Sequence, residues 1–105
     1  MLSVTFSRVR PGEEDRLRAW GRELMRRGDE VRQTFEQEGV RHERSYLIST
    51  EAGAVLIRVG EVDDWDKALA AFNASRLSID AEHRQVMEAA LEGPFSAELI
   101  YECSL

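Results

Sequence analysis

Few residues in this 105-residue chain combine reactive chemistry with a setting that could use it. His83 stands first, because imidazole alone among side chains exchanges a proton near neutral pH without help from its surroundings. Asp80 lies three residues earlier, near the start of a helical segment, where it could accept from the ring and fix its tautomer. The same pair has a plainer reading, in which Asp80 caps the helix and His83 packs beside Val86 and Met87. Arg58 and Glu102 fall on strands and could orient an anionic or hydroxylated ligand. They could equally satisfy each other, since buried charges need partners. Tyr46 offers a phenol from mid-strand, although an amphipathic strand residue needs no such role. The candidate site is therefore His83 as the catalytic group, with Arg58, Tyr46, Glu102 and Asp80 binding ligand.

Other chemistries lack their signatures. Two histidines and one cysteine at distant positions do not have zinc-site spacing, so no metal is expected. No glycine-rich phosphate loop or nucleophile elbow follows a strand, and no cofactor is expected. Trp20 and Trp65 fit helical stripes and read as core. Cys103 reads as a small apolar residue and His42 as solvated.

The elements that must position these groups follow from periodicity. Leu2, Val4 and Phe6 alternate with Ser3, Thr5 and Ser7, the period of a strand with one buried face. Pro11-Gly12 ends it, and Glu13, Glu14 and Asp15 suit the positive end of a helix. Leu17, Trp20, Leu24, Val31 and Phe35 then form one stripe on a helix of roughly 25 residues, closed by Gly39. Arg44 to Thr50 reads as a second strand, and Glu51-Ala52-Gly53 as a hairpin turn. A third strand follows, with Val55, Ile57 and Val59 on its core face. Asp63-Asp64 open a second helical region, broken at Ser78 to Asp80 and stopped by Gly93-Pro94. Ala97, Leu99, Tyr101 and Cys103 alternate with Glu98, Ile100 and Glu102 in a last strand. The expected architecture is α+β: a single domain over residues 1–105, βαββαβ, with a four-stranded antiparallel sheet and two helices on one face. Under that register Thr5, Ser7, Leu56, Arg58, Glu98, Ile100 and Glu102 occupy the face away from the helices. This mixture suits a face covered by a second subunit around a polar cavity, so a homodimer is expected.

Composition narrows the partners. A net charge of −6, with acids and arginines interleaved, leaves no basic footprint for nucleic acid. No apolar run approaches the ~20 residues of a membrane span. A single cysteine and the lack of a basic-then-apolar leader suit a cytoplasmic protein.

The strand and helix order, Pro11-Gly12 after the first strand, the long first helix and the broken second one together resemble the dimeric α/β-barrel (ferredoxin-like) superfamily. Within it, Ser78-Ile79-Asp80-Ala81-Glu82-His83-Arg84 resembles a bacterial family known only as a domain of unknown function. Relatives include antibiotic-biosynthesis and haem-degrading monooxygenases, muconolactone isomerase and rhamnose mutarotase, but a shared fold does not carry their chemistry across. The haem-degrading relatives use an Asn on the first strand, whereas the only Asn here is Asn73.

The functional expectation is a homodimer binding a small organic ligand between sheet and helices. As an enzyme it would run cofactor-independent isomerisation or oxygenation of an acidic substrate, with His83 moving the proton and Arg58 stabilising negative charge. The alternative is a non-catalytic binding or structural dimer with no ligand cavity.

Overall fold

In the computed structural model, which describes all 105 residues, the chain runs β1 (Leu2–Val9), α1 (Glu14–Arg26), α2 (Gly28–Glu38), β2 (Val40–Thr50), β3 (Gly53–Val62), α3 (Trp65–Ala74), α4 (Ser78–Ala90) and β4 (Leu91–Pro94). The four strands form one antiparallel sheet in the order β2-β3-β1-β4. The chain is thus α+β with four helices rather than two.

Each expected helix is divided in two. In the first, Arg27 leaves helical geometry (φ −103°, ψ 42°), and its amide donates to both the Glu23 and Leu24 carbonyls. Gly28, a poor helix former, begins α2. The Arg27 guanidinium holds the break together, reaching Glu30 at 2.7 Å and Glu82 of α4 at 2.8 Å. Gly39 (φ 72°) closes α2 in the left-handed conformation that glycine adopts without steric cost. The second division falls at Ser75–Leu77, slightly ahead of the expected break. Arg84 of α4 donates to the Phe72 and Ser75 carbonyls there, which ties α4 to the end of α3. Asp64 caps α3 by accepting from the Lys67 amide at 3.1 Å.

The last strand is not where alternation placed it. β4 is Leu91–Pro94, and residues 95–105 carry no regular structure. Leu91 is buried in the core opposite Val9, which draws the chain into the sheet directly after α4. Gly93-Pro94, read as a helix stop, lies inside an edge strand, where the missing proline N–H is tolerated. Beyond the Phe95 amide, which donates to the Phe6 carbonyl, the apolar side chains Leu99, Ile100 and Tyr101 stand exposed.

The two sheet faces are also exchanged relative to the expectation. Ser7, Val9, Leu56 and Val62 are buried, while Leu2 is 70% and Val4 48% exposed. Strand pairing aligns Thr5 with Arg58 and Ser45, and Ser7 with Leu56 and Leu47, on the covered side. The helices supply the bulk (Leu17, Trp20, Leu24, Phe35 and Phe72), so small residues such as Ser3, Thr5, Ser7 and Gly60 suit the sheet beneath them. A period of two fixes which residues share a face but not which face is covered. The opposite face presents Val4, Phe6, Tyr46, Ile48, Val55, Ile57 and Val59.

Candidate ligand cavity

The covered sheet face changes character along its length. Towards one end, Val9, Leu56 and Leu91 pack with Leu17 and Ala90 into a closed apolar core. Towards the other, Ser3, Thr5, Glu43 and Arg58 form a polar floor beneath helices that do not fully meet it. The result is a cavity of about 250 Å3, roofed by Leu24, Val31, Phe35, Trp65, Leu69 and Phe72 and reached by Glu38, Asp80 and His83. Such a space is apolar above and polar below, the usual division in small-molecule sites.

Arg58 is the unusual member. Its Nε is buried with no hydrogen-bond partner, and no carboxylate forms an ion pair with its guanidinium. Burial therefore depresses its pKa, which the charge of nearby Glu43 partly offsets. Glu43 sits at the cavity's accessible margin, crowded enough that desolvation raises its carboxyl against the pull of Arg58. Unpaired buried charges are costly, and native proteins seldom keep one without a use.

His83 is held between Trp20 of α1 and Phe72 of α3, whose ring meets it edge-on at 5.6 Å. The Trp20 indole N–H donates to its Nδ1 at 2.8 Å. Indole is a donor only, so the imidazole proton must lie on Nε2. Burial, reinforced by Arg58 and Arg84 and opposed by Asp80, lowers its pKa to about 4. At neutral pH His83 is an uncharged donor, not the proton exchanger its residue type suggested.

Asp80 neither caps α4 nor receives the imidazole. It is 3% exposed, in the first turn of the helix, and accepts from the hydroxyls of Thr34 at 2.6 Å and Ser75. Thr34 also lies 2.8 Å from Glu38. Burial raises the Glu38 carboxyl to about 7, with the charges of Asp80 and Glu43 adding to the effect. The Thr34 contact opposes it to the extent that the hydroxyl donates there.

Of the five sequence-derived residues, three converge on this cavity: His83, Arg58 and Asp80. Tyr46 lies on the open sheet face and Glu102 in the exposed tail, and neither lines it. Sequence reasoning passed over Glu38, Glu43 and Thr34. Glu38 and Thr34 share a helical face with Val31 and Phe35, so polar residues within an apolar stripe were the available signal. Trp65, read as core, borders the cavity instead. No group of three His, Cys, Asp or Glu residues is arranged to hold a metal ion.

Fold and site together define an α+β protein with a charged cavity between one sheet face and its helices. The family model that matches, over residues 2–105, is described as a family of unknown function (DUF6176), and the chain belongs to that family. The likeness of Ser78–Arg84 to a domain of unknown function is consistent with this membership. No curated protein and no solved structure matches the chain.

Proposed function

We propose that this protein is a ferredoxin-like homodimer that binds a small organic acid between sheet and helices. The observation that carries the ligand reading is Arg58 on the floor of the cavity, a half-buried side chain whose Nε is buried without a partner and whose guanidinium pairs with no carboxylate. A carboxylate, phenolate or enolate would supply the missing partner, while the apolar helical roof would hold the rest of the molecule. Chemistry in this setting is cofactor-independent: proton transfer on that acid alone gives an isomerisation, and proton loss followed by reaction with dioxygen as the oxidant gives an oxygenation. Arg58 stabilises developing negative charge and His83 donates a hydrogen bond from Nε2.

The ferredoxin-like reading is supported by sheet order: taken from the other edge it runs β4-β1-β3-β2, as two interleaved strand–helix–strand units require. Dimerisation is supported by the open sheet face. Rows Val4–Val59 and Phe6–Ile57–Tyr46 make an apolar centre, with Arg8, Arg44, His42 and Glu61 at its margins. An apolar centre with a charged rim of both signs is the anatomy of an interface, and a second copy matches it.

The test is Arg58→Met. With no ligand, removing an unpaired charge should raise unfolding stability by about 1–3 kcal/mol. In a thermal-shift screen of small monocarboxylic acids, at least one should stabilise the parent, while neither its primary amide nor the Arg58→Met variant should respond. Destabilisation of the variant by more than about 1 kcal/mol would make Arg58 structural. An equal response to the amide would remove the anion-binding role of Arg58, and no response to any acid would favour the non-catalytic dimer.

A further inference from the structure

The contact between α2 and α4 raises a question of proton number. Thr34 Oγ lies 2.8 Å from Glu38 Oε1 and 2.6 Å from Asp80 Oδ2, and a threonine hydroxyl owns one hydrogen. It can donate to only one carboxyl, so the other contact needs a hydrogen on the carboxyl itself. Ser75 indicates which. Its Oγ accepts from the Leu77 amide at 3.2 Å and donates to the same Asp80 oxygen that faces Thr34. Two hydroxyls thus converge on Asp80, which is 3% exposed, while Glu38 is half-buried, and both side chains reach the cavity. Charge on Asp80 and hydrogen on Glu38 gives each of these contacts one donor and one acceptor. The reverse would set a bare carboxylate beside Val31 and Phe35.

We propose that Glu38 is the proton carrier of the cavity, a carboxylic acid linked through the Thr34 hydroxyl to Asp80. The proposal rests on the reading of the cavity as a ligand site and names the group that would do its acid–base work. The charged and titratable groups around Glu38 are Asp80 and His83 on α4, Glu43 on β2, Arg58 on β3, and Asp63, Asp64 and Lys67 where β3 passes into α3. Burial together with the acidic neighbours holds Glu38 at about 7, which agrees with the proton count. With an organic acid anchored on Arg58, the Glu38 O–H bond breaks and its proton passes to an oxygen or carbon of that molecule. The new Glu38 carboxylate then draws the Thr34 hydroxyl away from Asp80, and water at the margin returns a proton to Glu38. His83, already neutral, orients the molecule without changing charge.

The deciding experiment is a carboxyl-carbon NMR titration of the protein labelled at glutamate, for the parent, Glu38→Gln and Asp80→Asn. One glutamate should titrate close to neutrality, and its resonance should vanish in Glu38→Gln. In Asp80→Asn the new amide donates to Thr34 and turns the hydroxyl towards Glu38, so the titration should fall by about one unit or more. The parent spectrum alone overturns the proposal if no glutamate titrates above about 5.5. Survival of the raised resonance in Glu38→Gln would assign it to Glu43, and an unmoved midpoint in Asp80→Asn would remove the relay. None of these readings needs a ligand, so failure of the ligand reading in the Arg58→Met screen is seen separately.

Discussion

His83 and Glu38 lie on the same cavity and titrate abnormally in opposite senses. His83 is depressed to about 4 from an ordinary 6.5, so its contribution is present above 6.5 and is lost as pH falls towards 4. Glu38 is raised to about 7 from 4.5, so its contribution is present below 4.5 and is lost as pH rises through 7. Between pH 4.5 and 6.5 the two slopes oppose each other, and the parent's stability should vary little. His83→Gln keeps an acceptor for Trp20 and should lose stability as pH rises across that window. Glu38→Gln should gain stability over the same range. Each change should be about 1–2 kcal/mol after allowance for solvent screening, read from urea unfolding. Slopes of the same sign in both variants would refute these assignments. At this scale the sequence marked His83, Arg58 and Asp80 as chemically capable. It could not supply their states, because the Trp20–His83 bond spans 63 positions and the Thr34–Asp80 bond 46.

The helices were legible in their stripes and caps, with Gly39 and Asp63-Asp64 marking ends as read. Their divisions were less so. The break at Arg27 depends on Glu82, a partner far along the chain. The final strand shows where local pattern failed: residues 97–103 alternate as a strand should, yet the sheet takes Leu91–Pro94 because Leu91 is needed in the core. Tertiary burial outweighed alternation there. One element retains an evident weakness. Gly21 lies inside α1, and a Cβ added to it would meet nothing within 4 Å. Gly21→Ala should therefore stabilise the protein by about 0.5–1 kcal/mol in chemical denaturation, and a loss of stability would mean that α1 is strained there.

For the molecule as a whole, one undecided bit, the choice of buried sheet face, governed how the sequence was read. The polar set around Arg58 was legible as a group, and so was the apolar set around Phe6 and Ile57. Nothing local says which set the helices cover, because shifting the register by one residue exchanges them. The helices cover the polar set, which separates the cavity from the surface proposed for the partner. Substituting Ile57→Asp should accordingly leave the cavity and the cooperative unfolding transition in place. It should also reduce the particle measured by light scattering from twice the 12.0 kDa chain mass to a single chain. A parent that already scatters as one chain would refute the dimer.

The bond between Trp20 and His83 gives the protein a built-in optical reporter. The chain has two indoles: Trp65 lines the cavity and Trp20 grips the histidine that reaches into it. Indole emission responds to the polarity and hydrogen bonding around the ring, so both fluorophores sense the same space. Filling that space, emptying it or changing its charge is therefore coupled to the colour and yield of the protein's own light, with no dye attached.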